Sequence, residues 1–303
     1  MFLKIAQRTE CRYSRPVDRA RIEYRVFPAN DPDQRVLGLE VGVTSSGVPL
    51  DVAGPEAVFI DAWGNLCRKV EWSRPIDSWS FTVDLFVETL RQNPFDFPLS
   101  AVRLPIPADS HAWPAEVHGY IRWEYDPWDN DPEVKAWAIA QSASESGAFQ
   151  KIQFLMEIIS KEFKFCMGRT DVKTPPGEIL KLKMGVCQDF ATLLIASSRA
   201  LGLPARYVSG YIYEGPRAKR QGPAPVGHGW AEIFFPEIGW RGFDPLNGIL
   251  ACHKHVRTAQ GRWYADAAPV IGRFTGMGVE QNSRTEIHVD MADASGRIVE
   301  LNE

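Results

Sequence analysis

A thiol, an imidazole and a carboxylate stand in three separate segments, in an order suited to nucleophilic acyl transfer. They are Cys187 in GVCQDFATLLIASSRALG, His228 in HGWAEIFFP and Asp244 in GWRGFDPLNG. A thiol attacks a carbonyl as its thiolate, which an imidazole generates by accepting the proton. A carboxylate bonded to the other ring nitrogen fixes the histidine tautomer and supports the imidazolium form. A lone cysteine is as easily structural. The three residue types together, in segments able to meet, carry the functional reading.

The elements that must position them are legible from periodicity. Residues 187–202 read as a helix, with Phe190, Leu193, Leu194 and Ala200 on its apolar face, Gly202 as terminator and Pro204 just beyond. Cys187 then falls in the first turn, where unpaired backbone N–H groups and the positive end of the helix dipole favour a thiolate. The same N–H groups suit a developing oxyanion. HGWAEIFFP alternates as a strand, with His228, Trp230, Glu232 and Phe234 on one face. In GWRGFDPLNG, Trp240, Gly242 and Asp244 share a face, and the connection PEIG is of hairpin size. With suitable register His228 faces Asp244.

The chain has 303 residues, enough for two domains. Hydrophobic residues make up 45% and charged residues 24%, an ordinary globular balance that excludes a disordered or fibrous chain. A net charge of −4 argues against a nucleic-acid footprint, and the short basic cluster Arg217, Lys219, Arg220 reads as a solvated loop. The start MFLKIAQRTECRYSR is too polar for a signal-peptide core, and ATLLIA is too short to span a bilayer. The expectation is a cytoplasmic protein without a membrane segment. Five cysteines, none in a CxxC pair, argue against a disulfide framework.

Residues 1–125 read as an all-β sandwich. RIEYRVFP (21–28) and SFTVDLFVET (80–89) alternate, and Phe81, Val83, Leu85 and Val87 share one face of the second. DAWGN (61–65) reads as a hairpin turn with Gly64-Asn65 at its tip, and the scattered tryptophans read as packing. Residues 90–130, rich in Pro, Trp and Asp, read as an irregular connection; His111 and His118 within it have no chemical partner in sequence. Residues 126–303 read as the second domain. DPEVKAWAIAQSA starts its helical part, and AFQKIQFLMEIISKEFKF (148–165) is the clearest helix, with Ile152, Leu155, Met156, Ile159 and Phe163 at three- and four-residue steps and Cys166 packed at its end.

The stretches GVCQDFATLLIASSRALGLPARYVSGYIYEG (185–215), HGWAEIFFPEIGWRGFDPLNG (228–248) and WYADAAPVIGRFTG (263–276) resemble the bacterial transglutaminase-like proteins, often described as candidate cysteine proteases. VFPANDPDQRVLGLEV and DAWGNLCRKVEW are looser matches to the all-β domain that precedes that core. The resemblance implies an α+β, papain-like core in which the cysteine helix packs on an antiparallel sheet. It also implies Cys187 as nucleophile, His228 as general base and acid, and Asp244 as the residue orienting His228. The chain departs from the family at Gln188 (commonly Arg), Thr192 (often His) and Leu246 (Thr), positions on the rim of the site rather than in the triad. Asp189 matches a family acid and is expected to hold a nearby loop or Arg206. Trp230 is expected to wall the cleft or pack in the core, and Tyr207 and Tyr211 to line the same region.

The expected chemistry is attack of Cys187 on an amide of a peptide or protein, followed by water (hydrolysis) or a primary amine (transamidation). A non-catalytic binding module with a vestigial triad is the remaining class. No cofactor is expected. Cys252, His253 and His255 form a CHxH tract with zinc-type ligands but lack a second ligand pair, so a structural role is preferred and no metal is assigned. No EF-hand loop or GxxxxGK phosphate loop is present.

Overall fold

The computed structural model describes residues 1–45, 48–49, 58–72, 75–107, 113–215 and 227–299. His111 and the basic cluster at Arg217, Lys219 and Arg220 lie outside the described residues. The first part of the chain supplies β1 (Phe2–Val17), β2 (Arg19–Tyr24), β3 (Gln34–Ser45), β4 (Val48–Pro49), β5 (Val58–Ile60), β6 (Leu66–Trp72) and β7 (Ile76–Thr89). After the irregular connection come α1 (Pro132–Gln141), α2 (Ala148–Glu162), β8 (Lys164–Phe165), α3 (Pro176–Leu182), β9 (Met184–Gly185) and α4 (Cys187–Ala200). The remainder is β10 (Ala205–Ile212), β11 (His228–Phe235), β12 (Gly239–Asp244), β13 (Ile249–Leu250), β14 (His255–Gly261), α5 (Tyr264–Ala267), β15 (Val270–Thr275) and β16 (Gln281–Ala292). The protein is α+β, with an all-β N-terminal part and a core built on an antiparallel sheet.

The sandwich is held by period-two patterning. Phe81, Val83, Leu85 and Val87 of β7 are all buried, and they share a core with Leu3 and Ile5 of β1 and Ile22 and Tyr24 of β2. Tyr24 stacks on Phe81 with ring centroids 3.7 Å apart. The DAWGN turn joins β5 to β6 as expected, with Gly64 at φ +81°. The sheet orders are β16-β1-β7-β3-β4 and β15-β2-β6-β5. The expectation that residues 126–303 form one domain is modified at its C-terminal end. β15 pairs with β2 and β16 with β1, so residues 270–275 and 281–292 return to the N-terminal sheets instead of staying with the core. Pairing between segments so far apart leaves no local trace in sequence.

The core sheet has the order β13-β12-β11-β10-β14. The edge strand β14 is covered by side chains of the sandwich. The Gln34 amide donates to the Arg257 carbonyl at 2.8 Å and accepts its N–H at 2.9 Å. Asn65 does the same for Gln260, at 2.8 Å in each direction. Two amides thus stand in for a neighbouring strand on backbone groups that an edge would leave open.

α1 starts at a side-chain cap: Asp131 accepts from the N–H groups of Glu133 and Val134, and Pro132 occupies the first helical position. α2 buries Ile152, Leu155, Met156 and Ile159, but ends at Glu162. Lys164 and Phe165, expected to continue it, form β8 and pair in parallel with β9, so the following Cys166 belongs to a strand connection and is only partly buried. α4 is buried from Asp189 through Arg199, as befits a helix covered on all sides. Gly202, at φ +98°, follows its end as expected. Arg199 anchors that end. Its guanidinium is fully buried, donates to Asp129 at 3.0 Å and to the carbonyls of Tyr120, Ala205 and Arg262, and lies 4.3 Å from the Trp263 ring centre. Burial lowers its pKa to about 10 against the raising influence of Asp129. The helix carrying Cys187 is fixed from below by this network.

Candidate active site

Cys187 is the first residue of α4 and is partly buried. The turn before it is built by Asp189, whose carboxylate accepts the Val186 N–H and the Thr170 hydroxyl, each at 2.7 Å. Gly185 is required there, since an added Cβ would lie 2.5 Å from Asp189 Oδ2. Burial pushes the Asp189 carboxyl up, and those hydrogen bonds oppose the rise. Asp189 therefore holds a loop, as expected; Arg206 is instead paired with Glu232 at 2.5 Å and stacked over Trp240 at 4.0 Å. Gln188 is partly buried, and its carbonyl accepts the Thr192 hydroxyl at 2.9 Å.

β11 and β12 pair Glu232 with Gly242 and Ala231 with Phe243, the register that puts His228 and Asp244 on one face. Their side chains meet at 2.7 Å between His228 Nε2 and Asp244 Oδ2. With Nε2 so engaged, Nδ1 is left for another partner, and the charge of the nearby Cys187 thiol acts on the ring. Burial alone would lower the His228 pKa, but the hydrogen bond to Asp244 and the charges of Asp244 and the nearby Cys187 raise it to about 10.

Asp244 is fully buried and takes five donors. Oδ2 receives His228, His255 Nε2 at 3.2 Å and Asn247 Nδ2 at 2.7 Å; Oδ1 receives the N–H groups of Leu246 at 3.1 Å and Asn247 at 3.2 Å. The two backbone bonds form an Asx turn encoded by DPLN. Burial would raise this carboxyl; the two imidazoles hold it well below the usual range. Trp230 lies against both rings, its centroid 6.0 Å from that of His228 and 5.2 Å from that of His255, so it is buried packing and a wall of the site at once.

Tyr207 is buried near this group: an added Cβ at Gly229, next to His228, would lie 2.0 Å from its hydroxyl. Burial raises its hydroxyl pKa, with the charge of Cys187 the next contribution. Tyr211 turns elsewhere. It packs in the sandwich core, and its hydroxyl donates to Gln7 at 2.7 Å, because β10 leaves the helix-covered part of the sheet before reaching it. It lines a cavity of about 180 Å³ between sandwich and core, together with Gly210, Gly227, Tyr264, Val270 and Ile287. His118 Nε2 donates to the Trp113 carbonyl at 2.9 Å, outside the site.

His228, Asp244 and His255 bring three ligand-type atoms within 4.8 Å of one another. Their hydrogen bonding fits a proton network better than a cation. His255 Nδ1 accepts the Cys252 N–H at 3.3 Å, so the ring's proton sits on Nε2 and points at Asp244. His255, Asn247 and Tyr264 are neighbours of Cys187, His228 and Asp244 that sequence reasoning did not place. Asn247 was in view within DPLNG, whereas His255 reaches Asp244 from across the sheet.

The opposed shifts of His228 and Asp244 fix a stability dependence on pH. A raised folded histidine stabilises fully below its unfolded value of about 6.5 and loses that contribution as pH rises toward about 10. A depressed carboxyl stabilises above about 4 and loses its contribution in acid. The thermal midpoint should therefore decline between pH 7 and 10, and Asp244→Asn should flatten that decline. Calorimetry of both proteins checks this; parallel curves would contradict the pairing.

Residues 135–245 match the family described as the transglutaminase-like superfamily, and residues 3–88 match the bacterial transglutaminase-like N-terminal region. An uncharacterized protein of Mycobacterium tuberculosis is 28% identical over 304 residues, covering 97% of this chain and 93% of its own length. An uncharacterized protein of Mycobacterium leprae is 35% identical over 113 residues, covering 37% of this chain and 39% of its own. A solved structure of a candidate cysteine protease from Cytophaga hutchinsonii superposes with a TM-score of 0.72 at 18% identity, covering 99% of this chain and 95% of that one, a likeness of fold. Residues 135–245 thus carry a transglutaminase-like core, and residues 3–88 before it a bacterial transglutaminase-like N-terminal region.

Proposed function

We propose that the chain is a cysteine acyl-transfer enzyme that hydrolyses an amide bond of a peptide or protein. The observation that carries this reading is the 2.7 Å bond between His228 and Asp244 beside the Cys187 thiol, which heads α4 and whose charge acts on the histidine. His228 takes the thiol proton, and the thiolate sulfur forms a bond to the amide carbon while the carbonyl electron pair moves to oxygen. N–H groups at the start of α4 face that oxyanion. The C–N bond then breaks, and His228 returns its proton to the leaving amine. Water attacks the thioester with His228 as base, the C–S bond breaks, and the acid leaves with the thiol restored.

Water needs no binding site of its own beyond reach of His228, which favours hydrolysis. The match of residues 135–245 to the transglutaminase-like superfamily supports a second reading, in which a primary amine takes the acyl group and the product is a new amide. A cytoplasmic location belongs to the same proposal, supported by five unpaired cysteines.

Labelling with a small thiol electrophile across pH 5–9, read by intact mass and peptide mapping, tests the shared step. Labelling should concentrate on Cys187 and slow by roughly 10²-fold or more in His228→Ala. Slow, indiscriminate labelling would move the chain to the class of binding modules. Partition of a defined acyl donor between water and a primary amine then separates the two acceptors; dominant amine product would replace hydrolysis by transamidation.

A further inference from the structure

Asp244 Oδ2 serves two imidazoles, and the mechanism above uses only one of them. We propose that His255 is a positioning residue for the acyl-transfer reaction, acting on His228 through the carboxylate they share. The inference rests on the proposed role of Cys187, His228 and Asp244.

The proton inventory decides what His255 can do. Its Nδ1 accepts a backbone N–H from Cys252, and its Nε2 donates to Asp244. Both nitrogens are thus engaged by a neutral ring. Protonating Nδ1 would set an N–H against the Cys252 N–H in a site 6% exposed. The groups facing the ring are Asp244 and His228 on one side, Lys254 next in sequence, and Cys252, Asp31, Asp33, Arg91, Glu232 and Arg257 around a small cavity of about 40 Å³ on the other. Glu232 is already paired with Arg206 and Arg257, Asp31 with Arg257 and Asp33 with Arg91, so Asp244 is the carboxylate left to the histidines. Burial lowers the His255 pKa, whereas His228 is raised. Two histidines on one carboxylate are thereby separated: one stays neutral and holds the oxygen in place, and the other carries the charge.

Its support is also specific. His255 begins β14, and the Thr89 hydroxyl donates to the His253 carbonyl at 2.7 Å while Gln34 grips Arg257 on the far side. The ring is wedged edge-on against Trp230, at 72°. It is therefore held by the sandwich on one side and by Trp230 on another, and it bears on Asp244.

The experiment compares His255→Phe, which keeps the ring volume without a donor, and His255→Gln, whose amide N–H reaches the same oxygen, with His228→Ala in the Cys187 labelling assay. A hydrogen bond to a charged group corresponds to roughly ten- to a hundredfold in rate. His255→Phe should slow labelling by about tenfold or more at its optimum pH, and His255→Gln should recover most of the loss. Both variants must keep native circular dichroism. If His228→Ala slows labelling and folded His255→Phe does not, the positioning role falls while the triad stands. If His228→Ala has no effect, the triad itself falls. Imidazole ¹⁵N NMR of the unaltered protein is the second measurement, free of any folding defect. One ring should remain a neutral Nε2–H tautomer from pH 5 to 9; a His255 that titrates in that range would overturn the inference.

Discussion

Replacing Cys187 by alanine is expected to lower amide hydrolysis by about 10⁴-fold or more while leaving the fold intact. The size follows from losing the covalent route: without sulfur no thioester forms, and what remains is water held near the N–H groups of α4. The fold should survive because α4 is anchored at its ends by other residues, Asp189 at the first turn and Arg199 at the last. Cys187 is only partly buried, so its removal opens no large cavity. Steady-state hydrolysis with a fluorogenic peptide amide, alongside thermal melts, measures both halves. Retention of activity within tenfold of the unaltered protein would sink the assignment of the nucleophile.

Asp244→Asn should be nearly as severe, and it should damage stability as well. All five hydrogen-bond partners of the Asp244 carboxylate are donors. An asparagine has one acceptor oxygen. Whichever way its amide turns, an NH₂ group meets either the two backbone N–H groups or the cluster of His228, His255 and Asn247. His228 then loses the partner that selects its tautomer, an effect of about 10⁴ in kcat where an Asp-to-Asn change has been made in a comparable triad. Breaking a buried charged pair costs roughly 3–5 kcal/mol. Hydrolysis rates and urea denaturation check the two effects. An Asp244→Asn protein of native stability with activity within tenfold of normal would mean that the carboxylate does not orient His228.

What was legible in the sequence was local. Gly185, Gly202 and Pro204 bracket α4 and set Cys187 at its head. Alternation in HGWAEIFFP and GWRGFDPLNG, with a short turn between, brings His228 to Asp244, because adjacent strands joined by a hairpin have their register fixed by the turn. What escaped was held by distance. His255 lies on β14, separated from β12 by two intervening strands, and its CHxH setting points toward metal chemistry rather than toward a carboxylate. Arg199 looks like a solvated helix terminus until Asp129, seventy residues earlier, is brought beneath it. Tyr211 shares the strand of Tyr207, but its end of the strand enters another core. The C-terminal strands read as part of the second domain because nothing in their composition names their partners.

Those last strands have a bearing on how the molecule is made. Thr9 in β1 and Thr285 in β16 touch through their hydroxyls across 276 residues of chain. During synthesis, β1 and β2 emerge with a partner on one side and must wait for nearly the whole chain before the other side is paired. The transglutaminase-like core is thus completed inside an unfinished sandwich. Closing so long a loop is slow relative to forming helices and hairpins, and an unpaired β1 edge is a site for wrong partners in the interval. The last folding step of this protein should be the arrival of β15 and β16, so that a chain interrupted before residue 270 would carry every residue of the proposed triad and still lack a closed sandwich.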